Sequence, residues 1–146
     1  FGAPSTAGGL VLASLSVGSG LAATQLGRLT TWASLPRLLA YSFVGLAGAL
    51  VLMPWAPSAL LVGGCGFLFG LAQGINQPAQ HSHLSTLAPE TSRAVVLSLN
   101  GTVLRVGQAG GPLVAGAVLA SGGLTIMFVV AAAWALVLAV FALWVL

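Results

Sequence analysis

The chain is a succession of long apolar stretches separated by short clusters of Pro, Gly, Ser and charged residues. A run of about 20 largely apolar residues crosses a bilayer as a helix, and the punctuation supplies such runs. The first covers residues 8–27 and ends at Arg28. The second covers 37–53, opened by Pro36-Arg37 and stopped by Pro54-Trp55-Ala56-Pro57, where two prolines remove backbone donors. The third, 58–86, starts behind Ser58 as an N-cap and turns polar from Gln73 onward, until Leu87-Ala88-Pro89-Glu90 ends it. The fourth, 92–120, and the fifth, 124–146, are divided by a Ser121-Gly122-Gly123 turn. The pattern predicts an all-α fold: a polytopic membrane helix bundle of five spans.

Composition removes the water-soluble alternative. Hydrophobic residues make up 58% of the 146 and charged residues 3%, against roughly a quarter charged in soluble chains. The formal charge of +3 comes from four Arg and one Glu. So few scattered groups exclude a nucleic-acid face, which needs clustered Lys and Arg. The single cysteine, Cys65, excludes an internal disulfide framework and a zinc cluster and reads as a small packing residue. The chain opens at Phe1 with no Met, basic leader or cleavage site, so a segment of a longer protein is expected.

Charge also orients the spans. With alternating directions, the loop holding Arg28 and Arg37 and the loop holding Glu90 and Arg93 lie on one face, while residues 54–58 and 121–123 carry no charge. The positive-inside rule makes the charged face cytoplasmic, with Phe1 outside and Leu146 inside. Trp32, Trp55 and Trp144 then fall near the interfaces that indoles prefer.

Polar side chains divide the spans further. The second and fifth hold few beyond Tyr41, Ser42 and Thr125 and are expected at the lipid-facing periphery. The first, third and fourth are rich in Gly, Ser, Thr, Gln and Asn and are expected to form the inner wall. On the third, Gln73, Asn76, Gln77 and Gln80 share one stripe at about 100° per residue; they serve either a wet pathway or interhelical hydrogen bonding. Gly66, Gly70 and Gly74 repeat every fourth residue beside them, the spacing that lets a neighbouring backbone approach. Pro78 is expected to kink this helix. On the fourth, Ser98, Gly101, Arg105, Gln108, Pro112 and Gly116 share a face, while Gly107 and Gly111 lie with Asn100 on roughly the opposite one. Arg105 lies roughly 18 Å beyond Arg93, near the middle of a core about 30 Å thick. An arginine there costs at least ~2.5 kcal/mol. It therefore faces either a water-filled solute pathway, with Gln108 and the third-span amides completing one wall, or a structural partner.

These residues resemble the C-terminal half of a major facilitator superfamily transporter, helices eight to twelve, over essentially the whole chain. Gly70-Leu71-Ala72-Gln73-Gly74 with Pro78 looks like its Gly-rich tenth helix. Arg93-Ala94, Ser98-Leu99-Asn100-Gly101-Thr102, Arg105, Gly107-Gln108 and Gly111-Pro112-Leu113 look like the eleventh helix of bacterial efflux-type members. Gly27-Arg28-Leu29, with Arg37 farther on, looks like the loop motif between helices eight and nine. Thr31 stands where that motif has Asp, and Ser34-Leu35-Pro36 where it has Gly and a basic pair, which leaves its cytoplasmic charge clamp incomplete. The resemblance implies five helices of a six-helix half of a secondary active transporter in a bacterial inner (plasma) membrane. Such a protein exports a drug or metabolite by alternating access. The implied partners are the lipid bilayer, the missing N-terminal half, a small-molecule solute and, as candidate coupling ion, the proton.

Other readings fit less well. His81 and His83 project about 200° apart and lack further donors, so no metal and no cofactor is expected; a place at the cytoplasmic mouth suits them better. Asn100-Gly101-Thr102 matches a glycosylation pattern but sits inside a span. An intramembrane enzyme needs a nucleophile with a base or paired acids, and no span holds an acid, so no catalytic residue is assigned. A non-transporting scaffold or assembly module is the alternative, but it gains little from a midplane charge.

The orientation is checked by single cysteines at Ser34 and Ser58 in a Cys65→Ala background, labelled on intact cells with an impermeant thiol reagent. Labelling at position 58 and not at 34 is expected; the reverse pattern would invert the topology.

Overall fold

The computed structural model describes residues 5–145. Four long helices form: α1 (Ser5–Leu29), α2 (Leu35–Leu52), α3 (Ala59–Leu87) and α4 (Arg93–Val145), with one 3-10 turn at Met53–Trp55. All four are long and apolar enough to cross a membrane. The expected count of five is therefore corrected to four. The fourth and fifth spans run together in α4 as two helical arms joined across a kink at Gly123, with no longer loop at residues 121–123. Gly123 alone leaves helical geometry, at φ 77° and ψ 178°, a backbone region open to glycine because it has no Cβ. The reversal read as a three-residue turn is absorbed at that single residue. α4 folds back there: Gly111, Val114 and Val118 share a cleft with Met127, Ala131 and Trp134. The expected positions of Phe1 and Leu146 lie outside the described residues.

Local chemistry sets the other boundaries. Pro36 sits in the first turn of α2, where its missing N–H is no loss. Ser58 caps α3, its hydroxyl oxygen accepting from the Leu61 N–H at 3.3 Å. Thr30 and Thr31 donate to the Gly27 and Arg28 carbonyls at the end of α1. Pro78 lies inside α3, whose helical assignment continues through it. The hydroxyls of Ser14, Ser16 and Thr24 bond back to carbonyls three or four residues earlier. These three hydroxyls of α1 are thus satisfied within the helix and need no wet neighbour.

In space the order is α1, α3, α2, α4: α1 packs on α3, and α2 lies between α3 and α4. The expected peripheral place of α2 is corrected accordingly. The reason is an alanine ridge. Ala132, Ala135, Ala139 and Ala142, spaced three and four apart on α4, are buried. Ala132 and Ala135 meet Leu46, Ala47 and Ala72, and Ala142 meets Leu39, Ala40 and Ala79. Small side chains at this helical period let three helices approach closely, the packing that holds helices together in lipid. By contrast, no residue of α4 between Arg93 and Gly122 is buried, so the first arm of α4 does not join the inner packing expected of it.

The α1–α3 contact is closer still. A Cβ on Gly70 would run into the Leu15 carbonyl and one on Gly74 into the Ser19 carbonyl. A Cβ on Gly66 would stand 3.1 Å from the Ser14 hydroxyl, and one on Gly18 of α1 would stand 2.5 Å from the Phe67 carbonyl oxygen. The helices touch backbone to backbone through these glycines.

That geometry sets opposite signs for two substitutions of the same kind. Gly70→Ala forces backbone apart and is expected to cost about 1–3 kcal/mol. Gly20→Ala, where nothing lies within 4 Å, is expected to be neutral or to gain up to ~1 kcal/mol of helix propensity. Thermal unfolding of the purified variants in one detergent separates them; equal melting temperatures would deny the close crossing.

Candidate functional site

The amide stripe of α3 divides into two parts. Asn76, buried, donates from Nδ2 to the Ser42 hydroxyl of α2 at 2.7 Å. Its Oδ1 accepts from Gln80 Nε2 at 2.7 Å, and Ser42 donates onward to the Leu39 carbonyl at 2.7 Å. The chain Gln80, Asn76, Ser42, Leu39 is a strut between α3 and α2, placed where an unpaired amide would be costly. Gln73, half-buried, and Gln77, exposed, make no side-chain hydrogen bond among the described residues. Ser42 was missed as a partner. Its signal is a lone buried hydroxyl in an otherwise apolar helix, but nothing in the sequence aligns its face with Asn76.

The charge in the membrane sits elsewhere. Arg105 lies on the exposed first arm of α4, in a polar cleft of about 330 Å³ lined by Ser98, Gly101, Thr102 and Arg105. All four belong to α4, so the amides of α3 do not complete this wall as expected. Gln108 is one turn farther on and exposed. Thr102 donates to the Ser98 carbonyl at 3.1 Å. Glu90 is the chain's only acid. Twelve helical residues from Arg93 to Arg105 span roughly 18 Å, beyond the reach of an ion pair with Glu90.

A second, larger cleft of about 610 Å³ lies between the two arms of α4 and Leu50 of α2. Its walls are apolar, with Gly111, Val114, Met127 and Trp134 among them. Size alone would make it the first choice, but it holds no group that can fix or orient a polar solute. The smaller cleft holds the chemistry. Val114, on the larger cleft, projects about 180° away from Arg105 around the same helix. The Arg105 face therefore turns away from the cleft that the chain makes with itself.

Of the remaining candidates, Gly107 has nothing within 4 Å of its Cβ direction, nor does Gly111. Gly27 and Arg28 are exposed near the end of α1, Leu29 is half-buried, and Arg37 is exposed in the first turn of α2. Arg28 donates to Gln25 at 3.5 Å. Leu26, Leu35 and Leu39 pack around Ala79, so the end of α1, the start of α2 and the later part of α3 share one side of the bundle. His81 is exposed, while His83 keeps its Nε2 buried without a partner. Among the described residues no three His, Cys, Asp or Glu side chains are grouped to hold a metal.

A family model described as Major Facilitator Superfamily matches residues 1–146. No curated protein and no solved structure matches the chain.

The strut predicts coupled stability. Single Ser42→Ala and Asn76→Ala variants and their double mutant are expected to show a coupling energy of about 0.6–1.7 kcal/mol, the range for interhelical hydrogen bonds in membranes. Equilibrium unfolding in mixed micelles measures it; strict additivity would show that the two side chains do not act together.

Proposed function

This chain belongs to the major facilitator superfamily, and from that premise we propose that it is part of the C-terminal half of a secondary active transporter. The superfamily is one of membrane transporters, not of enzymes. In this reading the protein exports a small drug or metabolite from a bacterial cell, across the inner membrane, by alternating access coupled to a proton gradient. The N-terminal half of the same transporter supplies the opposing bundle, and the loops bearing Arg28, Arg37 and Arg93 face the cytoplasm.

The observation that carries the proposal is the polar face of α4. A guanidinium near the midplane, on a helix arm with no buried residue, is costly against lipid. A polar cleft opening away from the chain's own packing suits a wall of a solute pathway. The glycine contact between α1 and α3, the Ser42–Asn76 strut and the alanine ridge of α4 supply the stiffness that rocking of one body against another requires. Arg105 and Gln108 line the pathway in this reading. Gln73 and Gln77, free of side-chain bonds, remain available to it, whereas Asn76 and Gln80 act through the strut.

Everted vesicles from cells expressing the intact protein test this directly. With a proton gradient imposed and a mixed metabolite extract supplied, mass spectrometry is expected to find at least one solute depleted from the medium, and none in vesicles lacking the protein. Arg105→Gln is expected to lower that uptake roughly tenfold or more and Arg105→Lys less, because Lys keeps the charge but loses the planar fork. Melting temperatures should stay near the parent's. A fall in stability with uptake per folded molecule unchanged would make Arg105 a structural clamp instead.

A further inference from the structure

We infer that the Arg105 cleft binds an oxyanion group, a carboxylate or phosphate, so that the solute is a small organic anion. The inference rests on the reading of the α4 polar face as the pathway wall. It follows from what the cleft contains and what it lacks.

It contains donors. The guanidinium offers five N–H groups in a planar fork that matches two oxygens of a carboxylate or phosphate. The Ser98 hydroxyl, on the same face two turns earlier, makes no hydrogen bond among the described residues and is free to donate. Thr102 spends its proton on the Ser98 carbonyl at 3.1 Å, so its hydroxyl can only accept, whereas the Ser98 hydroxyl can donate or accept. Between them Gly101 keeps the floor open: nothing lies within 4 Å of where its Cβ would stand, so a ligand can reach the helix backbone.

None of its lining residues is acidic. Glu90, the chain's only acid, is held away by the length of the helix. A guanidinium that no acid of this chain neutralises attracts an anion in a low-dielectric span far more strongly than it would in water. The cleft of about 330 Å³ suits a small organic anion; pockets for such ligands begin near ~300 Å³. A cationic solute meets the guanidinium unfavourably, and a neutral one can accept its hydrogen bonds without offsetting its charge.

The test is binding, kept separate from transport. The intact protein in lipid nanodiscs is treated with phenylglyoxal, which modifies arginines, and peptide mass spectrometry follows Arg28, Arg37, Arg93 and Arg105 one by one. Benzoate and inorganic phosphate are the anionic probes, and benzamide is the neutral isostere of the first. At a concentration roughly ten times its Kd, at least one anion is expected to slow modification of Arg105 roughly tenfold by occupying the guanidinium, with the other three arginines unchanged and benzamide without effect. Gly101→Leu, which fills the cleft from an open position, should abolish the protection while leaving the melting temperature unchanged. Equal protection by benzamide, or none by either anion, overturns the inference. So does an Arg105 that resists the reagent without any probe, which would show a carboxylate on another helix already holding it. Gradient-driven uptake without anion protection removes this inference and leaves the transport reading; protection without uptake does the reverse.

Discussion

Close approach of helix backbones is the constraint on which the rest of this structure depends. Lipid gives two apolar helices no hydrophobic reason to associate, so contact must come from packing at short range. The α1–α3 crossing meets that need with glycine: Gly70 faces the Leu15 carbonyl and Gly74 the Ser19 carbonyl, with no room for a methyl group. The α2–α4 contact meets it with alanine, at positions 132, 135, 139 and 142. Large side chains are pushed outward as a consequence. Leu60, Leu113, Val103 and Trp134 stand exposed on the helix surfaces, which suits residues whose solvent is lipid.

Once the backbones are close, polar groups inside must be satisfied within the bundle. Ser42 and Asn76 show how few are needed: one hydroxyl and one amide tie α2 to α3, and Gln80 fills the second side of the amide. The α1 hydroxyls instead bond to their own helix. Polarity in a span therefore has two structural uses before any functional one, and subtracting both isolates the face of α4 with Arg105. Thr102 bonds back to the Ser98 carbonyl, but the guanidinium and the Ser98 hydroxyl serve neither use among the described residues. The hydroxyls of that face lie beside a charge that no helix carbonyl or acid of the chain neutralises.

Much of this was legible in the sequence, because lipid imposes length and polarity rules that act on single residues. The helical class, the cap at Ser58, the stop near Pro54 and the every-fourth-residue glycines of α3 all follow from local pattern. Three features did not. Gly123 alone leaves helical geometry, so the break between the two arms of α4 takes one residue where a Ser-Gly-Gly sequence reads as a three-residue turn. The alanine ridge is hidden in an all-apolar span: Ala132, Ala135, Ala139 and Ala142 are distinguished from Leu and Val by size, not by hydropathy, so α2 and the second arm of α4 read as equally content in lipid. The division of the α3 amides depends on the rotation of α2, which places Ser42 opposite Asn76 and leaves Gln77 outside. No periodicity within either helix carries that information.

The same reasoning separates the packed part of this chain from its open part. The packed body, α1 with α3 and α2 with the second arm of α4, is held by small residues and by the Ser42–Asn76 bond, and it leaves the amides of Gln73 and Gln77 without a side-chain bond among the described residues. The first arm of α4 is the converse, with no buried residue and with glycines at 101, 107 and 111 whose Cβ directions are open. An arm tethered to the body at Gly123 and otherwise unpacked within the chain gains its stability from whatever lies against it. One side meets the apolar cleft shared with Met127 and Trp134, and the other presents Arg105 and Gln108. Charge on only one of two opposite faces fixes the rotation of the arm about its axis, because turning it by half a revolution would place the guanidinium against Phe128 and Leu50 without a partner.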